Sequence, residues 1–379
     1  MKEKQKVLEA TVAEIAFFLG RSAIQQKEYK EAEEWLLKSL AIWPDSAQTH
    51  QLIMYAKAHL RKFKEAIYHS NRAEVLDPGL KVKYMRSLFR LYDKDYIKGF
   101  EEFESRFKQG GITDTYAQEL PQWDGRPCKT LHVYGDQVFG DVFMFSRYLP
   151  LLKEKGVEKV YFDIRAACAD LFRYNLRHYP EIEVVTGHTG LEFDYSLQLM
   201  SSAHVFKTTY DTVPPPLKFE PQPEFVEKWK EFYKDAKGFK VAVVFEGGHK
   251  EDKIWNDKRS VDRKDLLTAL SEAGVGAFFP LQIELQPDIK SWSDTAALIS
   301  LADLTVTIDS GPVHLAASMD ATKTFVLNSD QCCWRWCTEG DYTPWYPGIR
   351  QFRQDLGGNW DKPIAELKEA VKCRILSKS

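Results

Sequence analysis

The chain has 379 residues, of which 44% are hydrophobic and 28% charged, with a net charge of −3 at neutral pH. That length exceeds one ordinary core and implies two or three domains, and the composition is globular, neither disordered nor fibrous. The near-balanced charge provides no strongly basic groove, so nucleic acid is not indicated as a partner, and no apolar run reaches membrane-spanning length.

The N-terminus, "MKEKQKVLEATVAEIAFF", interrupts its apolar residues with charges and lacks a small-residue cleavage site, so it reads as an amphipathic helix rather than a signal peptide. The next hundred residues repeat. "KEYKEA" (27–32) recurs as "RKFKEA" (61–66) and loosely as "KDYIKG" (94–99). Tyr29 to Phe63, Ala32 to Ala66 and Pro44 to Pro78 are each 34 residues, while Phe63 to Tyr96 is 33. An aromatic, a small residue and a terminal proline sharing that period form the tetratricopeptide signature. The small residue lets paired helices approach, and the proline stops the second helix. Residues 1–107 are therefore expected to form an all-α tetratricopeptide-repeat domain.

Residues 108–128 hold the Gly- and Pro-rich "QGGITDTYAQELPQWDGRP" and read as a linker. The rhythm then changes to short apolar runs alternating with helical segments. Strands are expected at 130–135, 159–164, 182–185 and 193–199. After the proline-rich "TVPPPLKFEPQPEF" (212–225), a second set is expected at 240–246, 275–281, 303–308 and 323–328. Alternation of this kind implies parallel sheets covered on both faces. Two sets predict two Rossmann-like domains facing a cleft, at 129–225 and 226–360, with a last helix within 361–379. Ligands of such sheets bind at the carboxyl ends of the strands.

Three strand ends carry candidates. After the first strand, "YGDQVFGDVFMFSRYLP" (134–150) is neither a G-x-G-x-x-G fingerprint nor a P-loop. Its Asp141 opens a helix, where capping alone would justify a carboxylate; a general base facing the cleft is the functional alternative, and the residues by themselves favour the cap. After the 240–246 strand, "EGGHKEDKIWNDKRSV" combines Gly247 with Lys253, Lys258, Arg259 and Ser260. This is either a solvated charged loop or a phosphate-pairing one. In "TVTIDSGPVHLAASM" (305–319), Asp309 ends a strand, Ser310 or Gly311 caps a helix, Pro312 suits its first position and His314 lies in its first turn. A helix N-terminus beyond a parallel strand is an anion site. With the basic loop expected on the same rim, these residues read as a phosphate site. The six cysteines lack paired CxxC spacing, so Cys332, Cys333 and Cys337 read as buried thiols, and a reducing, cytoplasmic setting is expected.

These stretches, in this order, resemble the glycosyltransferase family 9 (heptosyltransferase-like) enzymes in a version fused to tetratricopeptide repeats. "PQWDGRP" (121–127) matches a P-x-W-D-G entry, and "FGDVFMFSRYLPLL" (139–152) matches G-L-G-D followed by an aromatic, Arg-Tyr and Pro. "WNDKRSV" (255–261) is similar to N-D-x-x-R-S-I, and 303–319 to D-L-V-[VI]-[ST]-V-D-T-x-x-x-H-L-A-[AG]. "CWRW" (333–336) and "YTPWYPGIRQFRQ" (342–354) resemble D-W-R-W and D-S-P-W-Y-P segments.

The resemblance implies a GT-B fold whose last helix crosses back onto the first Rossmann-like domain. It implies inverting transfer of a sugar from a nucleotide-sugar to an acceptor hydroxyl, with Asp141 at the base position. The leaving diphosphate would meet Gly247, Lys253, Lys258, Arg259, Ser260, Asp309, Ser310, Gly311 and His314. No metal or other cofactor is implied; the single D-x-D, Asp93-Lys94-Asp95, lies in the repeats. The repeats would recognise an acceptor protein or glycan, or a partner. The sequence departs from the pattern at Glu246, at Cys333 in place of Asp, and at Val138-Phe139 in place of Gly-Leu. A catalytically silent repeat scaffold that binds nucleotide-sugar, and a GT-B epimerase, are the competing readings.

Overall fold

A computed structural model describes residues 2–109, 120–135, 138–187, 190, 192–248 and 257–378. The chain divides into two compact units, Met1–Thr115 with Lys207–Thr212, and Tyr116–Phe206 with Val213–Ser379.

The first unit is built from antiparallel helix pairs: α1 (Lys2–Gln25) with α2 (Tyr29–Ile42), α3 (Ala47–His59) with α4 (Phe63–Leu76), and α5 (Lys83–Tyr92) with α6 (Tyr96–Phe103). The periodic small residues stand where helices meet. Ala32 and Ala66 are fully buried, and a Cβ at Gly99 would lie 2.8 Å from Leu91 Cδ2. A Cβ at Gly20 would come within 2.5 Å of Leu36 Cγ, so glycine is what brings α1 against α2. Ser46 caps α3 by accepting the Thr49 amide at 3.2 Å. Residues 207–212 join this unit through Tyr210, whose ring packs on Tyr96 and lies beneath Lys94.

The second unit contains two all-parallel sheets. The first holds β1 (Cys128–Tyr134), β2 (Val157–Asp163), β3 (Ile182–Val185) and β4 (Tyr195–Gln198) in the order β3-β2-β1-β4. The second holds β5 (Phe239–Val243), β6 (Val275–Pro280), β7 (Leu304–Ile308), β8 (Thr324–Asn328) and β9 (Arg350–Arg353) in the order β6-β5-β7-β8-β9. β7 and β8 are buried along their whole length, as central strands of a covered parallel sheet must be. Each sheet reverses its strand order once, between β1 and β4 and between β5 and β7. The helices that matter below are α7 (Phe139–Phe145), α8 (Ala166–Asn175), α9 (Pro223–Phe232), α10 (Arg263–Glu272), α11 (Trp292–Leu301), α12 (Gly311–Asp320) and α13 (Asp361–Leu376). Helical repeats followed by two Rossmann-like halves make this a repeat-plus-GT-B architecture. Among the described residues no helix is long and apolar enough to cross a membrane.

Two expectations are corrected and one strand is added. Residues 121–123, taken as part of the linker, pair with the first sheet: Trp123 is buried, its amide donates to Ser196 O at 2.8 Å, and Ser196 N donates to Pro121 O at 3.0 Å. The strand β9, at which no strand was expected, adds an edge to the second sheet. The last helix α13 packs on α10 and β9 of the second half instead of crossing back to the first. A short connection after the edge strand confines it there, and Lys368 pairs with Glu272 at 2.5 Å and Lys378 with Asp303.

Candidate functional site

The chain leaves β1 at the reversal point of the first sheet and enters α7, whose third residue is Asp141. It leaves β7 at the reversal point of the second sheet and enters α12, whose fourth residue is His314. These two strand-to-helix joints meet. A Cβ at Gly140 would fall 2.9 Å from His314 Cδ2 and 3.7 Å from Gly311 Cα. A Cβ at Gly311 would fall 2.8 Å from Trp292 Cη2. Glycine at both positions lets α7 and α12 touch under the Trp292 ring, which also packs on Phe139 and Phe143 with centroids 5.2 and 4.7 Å away. The space beside Gly311 is thus occupied by an indole, so the glycine answers to packing.

Asp141 is held from the other half. Arg335, in the short 3₁₀ turn Trp334–Trp336, donates through Nη2 to Asp141 Oδ1, through Nη1 to Cys333 Sγ at 2.7 Å and through Nε to Met144 Sδ at 2.9 Å. Burial opposes charge on this guanidinium, yet the negative Asp141 and Asp309 and the contact with Cys333 together outweigh it and raise its pKa above the ordinary arginine value. Burial pushes the Cys333 thiol up to about 12, so it is a neutral acceptor.

His314 is 4% exposed, with Nδ1 3.0 Å from the Tyr346 hydroxyl and its ring stacked on Trp336 at 5.5 Å. Burial first, then the positive Arg335 and Arg147, hold its pKa well below the usual histidine value. It is a neutral imidazole at physiological pH. Arg147, 2% exposed, donates to the carbonyls of Met144, Pro214 and Trp345 at 2.7–2.9 Å, and burial lowers its pKa.

The rim of the second half is stitched by backbone bonds. Val261 N donates to Phe245 O at 2.9 Å and Gly247 N to Ser260 Oγ at 3.2 Å, which folds residues 257–261 back along the end of β5. Arg259 then donates to the Asp309 carbonyl at 2.8 Å, tying this segment to the end of β7. Ser310 takes the N-cap position of α12, but its hydroxyl turns back to Ile308 O at 3.3 Å and caps nothing. Lys258 is exposed on the same segment.

The structure therefore brings Gly247, Arg259, Ser260, Asp309 and Ser310 together, and sets Asp141 beside His314. Lys253 lies outside the described residues. Asp141 engages a guanidinium rather than merely starting a helix. Sequence reasoning passed over Arg335, Trp336, Tyr346, Arg147 and Trp292. Arg147, Arg335, Trp336 and Tyr346 lie in the stretches 139–152, 333–336 and 342–354 that carry the family resemblance, while nothing marked Trp292. Among the described residues no three His, Cys, Asp or Glu side chains gather as metal ligands, and none of the six cysteines forms a disulfide.

No family model matches the chain. It is similar to protein FlbA of Caulobacter vibrioides, at 23% identity over 386 residues, 88% of this chain and 63% of that protein. The chain thus spans less than two thirds of that relative's length. It is also similar to the solved tetratricopeptide domain of Arabidopsis OM64, with TM-score 0.26 and 16% identity over 29% of this chain and 92% of that one. A glycosyl transferase family 9 structure from Veillonella parvula has TM-score 0.45 and 12% identity over 66% of this chain and 98% of that one.

Proposed function

We propose that the α/β unit is a glycosyltransferase that moves a sugar from a nucleotide-sugar to an acceptor hydroxyl with inversion. The observation that carries this reading is the meeting of the two reversal points, which puts the Asp141 carboxylate beside the start of α12. The acceptor oxygen gives its proton to Asp141 and attacks the anomeric carbon. The bond from that carbon to the phosphate oxygen breaks, and the nucleoside diphosphate leaves with the electron pair. The uncapped amides of α12, with Arg259 and Lys258, offer donors to the departing charge. Catalysis in this scheme draws on amides and cations of the chain, and it predicts turnover that survives chelation. Full loss with EDTA, restored by magnesium or manganese, would remove that part of the reading. The repeats present a solenoid suited to an extended acceptor or partner.

The direct test is a thermal-shift screen of nucleotide-sugars on the full chain, followed by transfer assays with those that bind. A bound donor stabilises the native state by mass action, by about 2.7 kcal/mol at a hundredfold excess over Kd. One or two donors sharing a nucleotide are expected to raise the melting temperature and to be consumed. Donors that bind but are never consumed, across protein and glycan acceptors, would favour the silent scaffold.

A further inference from the structure

Beside Trp292 and the start of α12, Arg335 is a further residue through which the second half grips the helix that carries Asp141. Two of its three side-chain acceptors, Asp141 and Met144, lie on α7, and the third is the neighbouring Cys333. Only one of the three carries a full charge. The Met144 thioether is neutral, and the Cys333 thiol is kept protonated by burial. The counter-charge of the guanidinium therefore comes from Asp141. The Arg335 and Asp141 side chains are 14% and 18% exposed, so solvent screens the pair only weakly. Asp309, at the end of β7, acts electrostatically on both Arg335 and Cys333, and the adjacent His314 is neutral. Arg335 is thus in direct ion-pair contact with the Asp141 carboxylate.

We propose that Arg335 is the positioning residue of Asp141, holding its carboxylate ionised and fixed on α7, and that the thiol at position 333 leaves the guanidinium committed to that carboxylate. This rests on Asp141 being the base. A carboxylate in place of the thiol would take part of the guanidinium fork, since planar forks prefer carboxylate oxygens to neutral acceptors. It would leave Asp141 with a weaker partner and a second negative charge nearby.

The test is a carboxyl-carbon NMR titration of the full chain, with the Asp141 signal assigned by its loss in Asp141→Asn. In Arg335→Met and in Cys333→Asp, Asp141 is expected to bind its proton at least tenfold more tightly than in the wild type, about one pH unit. Arg335→Lys, which keeps a point charge without the fork, should fall between, and Cys333→Ser should stay within twofold. A change below twofold in Arg335→Met overturns the proposal. Should that variant fail to fold, unchanged titration in both Arg335→Lys and Cys333→Asp overturns it instead. The measurement needs no substrate. A chain that shows the expected shifts yet transfers no sugar loses the transferase reading and keeps the positioning role. A chain that transfers sugar without the shifts loses the positioning role alone.

Discussion

The repeats and the α/β unit treat their buried and half-buried cations differently, although Arg335 of the α/β unit also has a carboxylate partner in Asp141. In the repeats, Lys57 is paired with Glu33 at 2.7 Å and with Glu65, and Arg86 bridges Glu74 and Glu102 at 2.7 and 2.8 Å. Each cation there is matched by carboxylates. In the α/β unit, Arg147 is satisfied by three carbonyls, and Arg353 by the Cys332 sulfur, the Trp336 carbonyl and the Gln351 amide oxygen. Hydrogen bonds are met there while positive charge is left over. A scaffold neutralises its charges, whereas a site for a diphosphate has reason to keep some of its own in excess.

Breaking the matched pairs should cost the most stability. Arg86→Met leaves Glu74 and Glu102 without their shared cation, and removing one partner of a buried pair costs about 3 kcal/mol or more. Denaturant unfolding should show the loss in the helical transition, with nucleotide-sugar affinity unchanged; a loss below about 0.5 kcal/mol would mean the network is solvated. Arg147→Met should cost less, about 1–3 kcal/mol, since it strands carbonyls and no charge. It should also weaken nucleoside diphosphate binding. An equal or larger loss than for Arg86→Met reverses the comparison.

Gly311→Val forces a branched side chain into the Trp292 ring, an overpacking cost of about 1–3 kcal/mol. His314→Ala should lower diphosphate affinity roughly tenfold or more, if one hydrogen bond to a charged group is lost. Calorimetric titration of both variants separates packing from binding. Unchanged affinity in folded His314→Ala makes that imidazole a core residue supported by Tyr346 and Trp336.

A pH dependence is expected of the repeats alone. His50 and His69 face each other through their Nδ1 atoms at 2.8 Å, and burial, then the neighbouring His50, lowers the His69 pKa from 6.5 to about 4. The unfolded chain takes up that proton at the ordinary histidine value and the folded chain resists it until about 4. Stability contributed by the neutral ring is therefore present above pH 6.5 and lost as pH falls toward 4. Unfolding followed by helical signal should weaken across that window, and His69→Asn should flatten the dependence. A flat wild-type profile contradicts the buried neutral pair.

The repeats were legible because three features share one period, and each feature answers to a local need: a close approach, an aromatic contact and a helix stop. The strand ends were legible because parallel strands announce themselves as apolar runs and their helices start with Gly, Ser or Pro. The partner of Asp141 was not, since Arg335 lies 194 residues away and only the packing of the two halves joins them. The indole packed against Gly311 was hidden for the same reason, as nothing near it in sequence discloses Trp292. The last helix shows an apolar face, Pro363, Leu367, Ala370 and Val371, but a helix's own sequence does not say which surface covers that face. Strand β9 was missed because "RQFR" carries the polar pattern of an edge.

The central claim is that Asp141 takes the acceptor proton at the joint between the two sheets. Turnover of the full chain and of Asp141→Asn should be compared on the donor that the screen selects, with donor affinity measured on both. Transfer should fall about 10²–10⁴-fold in the variant while donor affinity stays within a few-fold, because the amide keeps the shape and cannot accept the proton. Near wild-type turnover in a folded Asp141→Asn protein would contradict the assignment and leave Asp141 as a partner of Arg335 and nothing more.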